Sequence, residues 1–315
     1  MWLLLKYTLL YAAVLMLVAL GGMFSERSGV INIALEGIMV IGGLLGVVMI
    51  NLMNAAGVPI FLGILISIAI SAIAGMGYSS MLAFSAINLK ADQTIGGTAL
   101  NLLATAVAMV IAKRIIVSDS PKITYSTNTN AWFNASHFSF NVGPLTLNWF
   151  LLVTAIAVAL AWFILYRSRF GMRLMACGEH PQAAASVGVN VYKMRWAGVL
   201  MSGALGGIGG MAYIVPAVGD WNFENGVAGM GFLALAVMIF GQWKPLNIAG
   251  AALFFAVFRA MANIYDSIPF LAALGWPKEI YNMMPFIASM IILAFTSKKS
   301  RAPKAEGIPY DKGSR

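Results

Sequence analysis

The chain has 315 residues, of which 60% are hydrophobic and only 10% are charged, and its mean hydropathy is +0.84. Because a soluble domain is nearer a quarter charged, this composition indicates an integral membrane protein. The single cysteine, Cys177, excludes an intrachain disulfide, and with only two histidines no metal site is expected. The net charge of +9 is attributed to cytoplasmic loops and not to nucleic acid binding, since Lys and Arg concentrate on that side of membrane proteins.

Nine apolar segments approach or exceed the about 20 residues that cross a bilayer. In chain order they are residues 2–23, 31–53, 58–87, 94–113, 148–166, 196–217, 226–240, 246–265 and 280–296. The first exceeds the roughly 7 to 15 apolar residues of a cleavable signal peptide, so we interpret it as a span. The short 226–240 segment is expected to be re-entrant or a half-helix. The sequence therefore predicts an all-α, polytopic membrane helix bundle with about nine or ten transmembrane helices.

The distribution of basic residues predicts the orientation of this bundle. If the loop 167–195 is cytoplasmic, alternation of the loops puts 14 Lys and Arg residues inside and 5 outside or at outer ends. This bias predicts an external N-terminus and a cytoplasmic C-terminus for nine spans. Beyond a transmembrane domain of residues 1–297, the tail 298–315 is basic and rich in turn-forming residues, so it is predicted to be disordered.

Polar side chains within the apolar segments are candidate pathway residues, because burying them in a bilayer is costly. Asn32 and Glu36 are four residues apart and are expected to share a helix face. Glu36 would either bond a polar solute or hold a neighbouring helix. Gln93, Thr94, Thr98 and Asn101 are predicted to form one polar stripe, which suits either an uncharged, hydrogen-bonding solute or hydrogen bonds between helices.

Arg259 and Asn263, one helical turn apart, complete the candidate pathway residues. The alternative for Arg259 is an outward-snorkelling side chain that starts about 10 Å below the interface. The sequence contains no Walker-type phosphate-binding loop and no nucleophile–base arrangement. The chain is therefore expected to have no catalytic residue, to bind no metal or cofactor itself, and to act as a transport subunit.

A polar segment, residues 171–195, interrupts the apolar pattern in the predicted cytoplasmic loop. Pro181 favours a helix start, and Gly188 followed by Asn190 favours a stop, so a short helix with small side chains is predicted. Such a helix is too short and too mildly amphipathic to anchor on a membrane surface. It is explained either as an element that docks in a groove of another protein or as an ordinary structured loop.

Four motifs resemble the nucleoside branch of the ABC importer permeases, within the branched-chain amino acid and simple-sugar superfamily. In the order of that family they are FSERSGVINIALEGIMVIGG, ADQTIGGTALNLLA, GEHPQAAASVGVNV and GMGFLALAVMIFGQWKP, and they cover most of the chain from about 20 to 250. After residue 250 the similarity is weaker, so Arg259 and Asn263 rest on the residues alone.

The resemblance implies a type II-like permease subunit in the bacterial plasma membrane, working by alternating access beside a second, different permease. A separate ATPase, commonly with two fused nucleotide-binding modules, would carry ATP and Mg²⁺, and an external lipoprotein would deliver nucleosides. The family often has Asn where His180 stands, which leaves the detail of that contact open. The residues that would form the coupling helix are Gly178, Glu179, His180, Pro181, Ala183, Ala184 and Gly188.

Other functions fit parts of the pattern. A permease for a simple sugar such as a pentose, or for an amino acid, belongs to the same superfamily. An ion-coupled secondary transporter would need intramembrane acids and broken helices in symmetric halves, for which Glu36 alone is a thin basis. A membrane enzyme would need Asp, His or Ser clustered at one interface, which the sequence does not indicate.

Overall fold

The computed structural model describes residues 2–116, 122–123, 139–142, 145–218, 221–222, 226–296 and 301–313. The helices are α1 Trp2–Arg27, α2 Leu35–Ala55, α3 Ile60–Ala83, α4 Gln93–Ile116, α5 Trp149–Arg167, α6 Arg169–Glu179, α7 Pro181–Ser186, α8 Val191–Tyr213, α9 Met230–Phe240, α10 Pro245–Asn263, α11 Pro269–Ala273 and α12 Lys278–Thr296. π-Helical turns extend α3 through Phe84–Asn88 and α8 through Ile214–Val218, and a 3₁₀ turn spans Tyr265–Ser267.

Four short strands complete the described secondary structure: β1 Lys122–Ile123, β2 Ser139–Val142, β3 Leu145–Asn148 and β4 Trp221–Asn222. Strands β2 and β3 pair antiparallel, with Ser139 opposite Asn148, and β1 pairs antiparallel with β4. The β2–β3 hairpin leads directly into α5, whose first turn is capped by the Asn148 side chain, which accepts a 2.8 Å hydrogen bond from the Phe150 amide.

Seven of the described helices are long and apolar enough to cross a membrane, namely α1, α2, α3 with its π turn, α4, α5, α8 and α10. The two other predicted segments, 226–240 and 280–296, correspond to α9, of 11 residues, and to α12, of 19 residues. The predicted all-α polytopic membrane bundle is confirmed. At 1.5 Å per residue, α9 is only about 16 Å long, as expected for a half-helix.

Helices α1 and α8 lie at the centre of the bundle, and glycines let α2 and α3 approach α8 closely. A Cβ added at Gly42 would lie 2.3 Å from Cα of Gly207, and one at Gly75 would lie 2.1 Å from the carbonyl oxygen of Gly203. The Ser71 hydroxyl lies 2.8 Å from the carbonyl oxygen of Gly42 and 2.7 Å from that of Gly207. Backbone-to-backbone packing of this kind stabilises helix pairs in membranes without a hydrophobic driving force.

The predicted short helix in the loop 171–195 is present as α7, and α6 joins it to the bundle. Gly178, near the end of α6, packs against the last residue of α1, where an added Cβ would lie 2.3 Å from the carbonyl oxygen of Arg27. After α7, Gly188 adopts a left-handed φ of 86° and turns the chain towards α8. The Asn190 side chain caps α8 by accepting a 3.0 Å hydrogen bond from the Lys193 amide.

The prediction that the tail is disordered is wrong for residues 301–313, which pack against α6, α7 and the adjacent ends of α1 and α8. Ala305 and Tyr310 are each only 6% exposed. The prediction of disorder was made from composition alone. A basic segment with Pro and Gly that is too short to fold by itself can still be ordered by contacts with an existing bundle. The tail therefore belongs to the same body as the helices that precede it.

Candidate pathway and coupling surface

The connection between α1 and α2, residues 28–34, is not helical although it lies within the bundle. It begins at Gly29, with a φ of 96°, and runs to Leu35, where α2 starts. Asn32 therefore lies outside the helix, and the prediction that it shares a helix face with Glu36 is wrong. Gly29 favours the end of α1, and α4 side chains then hold the segment by bonding the Ile31 amide and the Ile33 carbonyl.

Two amide side chains of α4 supply those bonds. Gln93 Oε1 accepts a 2.7 Å hydrogen bond from the Ile31 amide, and Asn101 Nδ2 donates at 2.9 Å to the Ile33 carbonyl. Asn101 Oδ1 also accepts a 2.8 Å bond from the Gly37 amide. Irregular backbone at membrane depth is tolerated only where protein satisfies it, so these side chains hold the broken segment in place.

Thr98 does not join Gln93 and Asn101 in one stripe, contrary to the prediction. Its side chain is exposed, and its hydroxyl donates within α4 to the carbonyls of Thr94 and Ile95. On an α-helix, Thr98 lies about 140° around the axis from Gln93 and Asn101 lies about 80° from it, so Thr98 is turned further from the side that meets residues 28–34.

Asn32 is fully buried beside α8. Its Nδ2 donates a 2.8 Å hydrogen bond to the Ser202 hydroxyl, while its Oδ1 is buried with no hydrogen-bond partner among the described residues. Buried amides without a complete set of partners are uncommon in folded proteins. Asn32 is therefore held by α8 and retains one acceptor at membrane depth.

Glu36 caps the half-helix α9. Its Oε1 accepts a 2.8 Å hydrogen bond from the Gly229 amide, and its Oε2 accepts a 2.7 Å bond from the Gly231 amide. Gly229 has a left-handed φ of 74°, and a Cβ at Gly231 would lie 2.5 Å from the Glu36 nitrogen. A carboxylate at a helix N-terminus satisfies free amides and complements the helix dipole. The geometry matches the helix-holding alternative for Glu36.

Arg259 points into the bundle instead of snorkelling outward. Its Cζ lies 5.7 Å from the centre of the Tyr11 ring, and the buried Tyr213 lies near both Arg259 and Glu36. Cation–π contact stabilises a guanidinium away from water. The structure thus groups Arg259, Tyr213 and Glu36 across α10, α8 and α2, while Asn263 is exposed near the end of α10.

A cavity of about 300 Å³ lies beside this group, at the end of the bundle that carries the β2–β3 hairpin. Ala212, next to Tyr213, and Leu10, next to Tyr11, belong to its lining together with Lys6, Asn148 and Pro216. None of the seven predicted pathway residues is among the described residues that line it. This cavity could not be predicted from the sequence, because its walls come from α1, β2, β3, α5 and α8 with its π turn.

The coupling residues divide into those that hold α6 and α7 and those that face outward. Gly178 and Pro181 are buried, and Ala184 is only 4% exposed in a cluster with Cys177 and Tyr310. The Glu179 carboxylate is half-exposed and lies 4.0 Å from the Arg27 guanidinium. The outward-facing members are His180, Ala183 and Gly188.

Two exposed apolar side chains beside these residues were missed by the sequence reasoning. Val187 is 78% exposed at the end of α7, and Met172 is 58% exposed on α6. Large exposed apolar groups among polar residues are typical of protein contact sites. Nothing in the hydropathy pattern distinguished them from the apolar side chains of the neighbouring spans.

Arg27 ties this outward-facing surface to the membrane helices. Its Nη2 and Nε donate to the Trp243 carbonyl, at 2.9 and 3.2 Å, in the loop between α9 and α10. The Trp243 indole in turn donates to the Glu26 carboxylate. The ends of α1 and α6 and the loop between α9 and α10 therefore meet at one junction around Arg27.

A polytopic helix bundle with a half-helix capped at membrane depth and a short helix mounted on one end is the architecture of a transport permease. The family model described as branched-chain amino acid transport system / permease component matches residues 4–294. The chain belongs to this family. It is a multi-pass membrane protein, the permease of an ABC importer, and a transport subunit rather than an enzyme.

Several curated relatives match this chain over most of their length. The nucleoside ABC transporter permease protein NupC of Lactococcus lactis is 38% identical over 96% of this chain and 95% of its own. The guanosine ABC transporter permease protein NupQ of Bacillus subtilis is 39% identical over 98% and 96%. A putative glucose ABC transporter permease protein, TsgC13 of Haloferax volcanii, is 32% identical over 82% and 76%.

Proposed function

We propose that this permease carries nucleosides across a bacterial plasma membrane, with its C-terminus in the cytoplasm. The observation that carries the proposal is its similarity, over nearly the full chain, to permeases named for nucleosides and for guanosine. The chemistry at membrane depth supports it. Within the bundle, the buried Asn32 side chain keeps an amide oxygen with no hydrogen-bond partner among the described residues, and a neutral acceptor of this kind suits an uncharged, hydrogen-bonding solute.

The proposed complex contains a second permease, an ATPase that binds ATP and Mg²⁺, and an external binding lipoprotein. The surface around Ala183, Val187 and Met172 is the proposed ATPase contact, because it combines exposed small and apolar side chains with a rigid mount on α1. Exposed apolar residues on α3 and α4, such as Ile73 and Leu102, are available for lipid and for the second permease.

Transport would proceed by alternating access. ATP binding closes the ATPase dimer, α7 moves with it, and the movement passes through the Arg27–Trp243 junction to α9 and to Glu36. Because the ligand can only shift the balance between states that it binds differently, ATP and the docked lipoprotein would each stabilise one state of the pathway.

The test is uptake of labelled guanosine and uridine in cells with and without the gene, in a background lacking other nucleoside carriers. Unlabelled ribose, glucose and leucine serve as competitors. The expected result is uptake that depends on the gene and is inhibited by nucleosides alone. Inhibition by a sugar instead would favour the sugar permease, a second candidate that the glucose-named relative supports. Gene-independent nucleoside uptake would refute the proposal.

A further inference from the structure

Residues 301–313 form a C-terminal segment that we call the strap. Contacts from several elements hold the strap in place. The Ala305 amide donates a 2.8 Å hydrogen bond to the Gly178 carbonyl at the end of α6. The Asp311 carboxylate lies 3.3 Å from the Lys90 ammonium, just before α4. Contacts at both ends of a short segment constrain it far more than either would alone, since the second forms at high effective concentration.

The centre of the strap is fixed by Arg195, which is only 1% exposed at the start of α8. Its Nη1 donates a 2.9 Å hydrogen bond to the carbonyl of Ile308 in the strap, while Nε and Nη2 have no hydrogen-bond partner among the described residues. A buried guanidinium with few partners is costly, so the strap carbonyl is a large part of what satisfies it.

Tyr310 connects the strap to the coupling helix itself. Its ring packs edge-on to Tyr192 of α8, with 5.3 Å between the ring centres, and lies in one apolar cluster with Cys177 of α6 and Ala184 of α7. Ala184 lies on the buried side of α7, and the opposite side of α7 is exposed. The phenol ring thus lies beneath α7 and fills the space between α7 and α8.

The other end of the strap reaches the junction around Arg27. The Glu306 carboxyl lies next to the Glu26 carboxyl at the end of α1, and Glu26 accepts a hydrogen bond from the Trp243 indole. A Cβ at Gly307, where φ is 76°, would lie 2.8 Å from the Ile31 side chain in the broken segment before α2. The strap therefore contacts α6 and α7 on one side and the ends of α1 and α2 on the other.

We propose that the strap positions the coupling helix for transport: Tyr310 keeps α7 seated on α8, so that movement of α7 is passed to the membrane helices. This inference rests on the proposed function, because it takes α7 to be the ATPase contact. Without the strap, α7 would still be present and exposed, but it would move independently of Glu26 and of the broken segment. ATP hydrolysis would then continue while uptake falls.

Cys177 offers a direct reporter of the strap. It is the only cysteine of the chain, it is buried in the Tyr310 cluster, and burial raises the pKa of its thiol to about 11. Since the thiolate is the reactive form, the wild-type protein should react slowly with a membrane-impermeant maleimide. Loss of the strap should expose the thiol and increase labelling by roughly tenfold or more.

The experiment uses inside-out membrane vesicles that contain the assembled transporter, with Tyr310→Ala and a chain ending before Arg301 as the variants. Tyr310→Phe retains the ring, and Ile308→Ala retains the carbonyl that Arg195 binds, so both serve as matched controls. In these vesicles the readouts are labelling of Cys177, co-purification of the ATPase and ATP hydrolysis, whereas guanosine uptake is measured in whole cells that express the same variants.

The expected result for Tyr310→Ala and for the truncated chain is increased labelling, retained ATPase and ATP hydrolysis, and uptake reduced by about tenfold, the usual size of a lost coupling interaction. Both controls should behave as wild type. Normal uptake in a variant with exposed Cys177 would overturn the proposal, and so would a truncated chain in which Cys177 stays protected. Failure of the wild-type chain to retain the ATPase would instead refute the proposed function.

Discussion

Two polar regions of this permease differ in what their side chains bind. Within the bundle, Gln93, Asn101 and Glu36 form hydrogen bonds with backbone groups of the broken segment, the start of α2 and the half-helix α9. At one end of the bundle, His180, Ala183 and Val187 are exposed on α7 and at its ends. Within the bundle, polar residues preserve a helix break that water cannot solvate. At the end of the bundle, where water can satisfy the backbone, the same chain can leave a surface open for a partner.

The largest effect expected within this comparison is at Glu36. Glu36→Ala removes two charge-assisted hydrogen bonds from the start of α9, so it should destabilise the protein by about 4 kcal/mol. Glu36→Gln keeps an acceptor for one amide and should cost roughly half as much. Thermal aggregation of the detergent-solubilised protein measures both. An alanine variant as stable as wild type would show that α9 does not depend on this cap.

Asn101 and Thr98 form a matched pair on α4. Asn101→Leu leaves the Gly37 amide and the Ile33 carbonyl without their partner and should destabilise the bundle by about 2 kcal/mol. Thr98→Val removes only hydrogen bonds to its own helix and should change stability by less than about 0.5 kcal/mol. Equal effects in the same aggregation assay would contradict the division of α4 into a supporting face and an exposed one.

Substitutions at Ala183 and Ala184 distinguish the proposed docking role of α7 from its packing against the bundle. Ala183→Arg adds a charge to the exposed side and should reduce guanosine uptake about tenfold, which corresponds to about 1.4 kcal/mol, with normal insertion and stability. Ala184→Arg forces a large side chain into the Tyr310 cluster and should lower stability as well.

Exposed Ala91, on the same side of the membrane, provides the control substitution to Arg. Uptake, expression and co-purification of the ATPase distinguish the three variants. If Ala183→Arg and Ala91→Arg reduce uptake alike, the effect comes from added charge on this side and not from a contact at α7.

The smallest expected effect is a dependence of strap attachment on pH. Burial raises the pKa of Glu306 to about 7. Because the pKa of Glu306 is higher in the attached strap than its ordinary value of 4.5, protonation stabilises the attached strap. This contribution is complete below pH 4.5 and is lost as the pH rises through about 7. Ionised Glu26 would repel ionised Glu306 and act in the same direction.

This pH effect is measured as Cys177 labelling at pH 6 and pH 8, with Glu306→Gln as the reference at each pH. The variant cancels the titration of the thiol itself, because both proteins carry the same Cys177. Labelling of wild type relative to the variant should increase by about two- to threefold at the higher pH. A constant ratio would show that Glu306 does not titrate in the attached strap.

The candidate site could be predicted from the sequence only where local signals were sufficient. The break after residue 27 and the short α7 follow from Gly29, Pro181 and Gly188, whose backbone preferences act without distant partners. The partners of Asn101 and Arg259 could not be predicted, since they lie on elements far away in the chain. The sequence offered equally good alternatives for each, and hydropathy does not distinguish them.

By itself, the sequence determined a polytopic helical membrane protein, the positions of its apolar segments, the shortness of α9 and the helix at Pro181. These follow from apolar length and from proline and glycine. Only the tertiary structure decided that Asn32 lies off the helix, that Thr98 faces away from Asn101, that Arg259 turns inward and that the strap is ordered. The physical reason is that each depends on which backbone or ring a folded neighbour brings within hydrogen-bonding or packing distance.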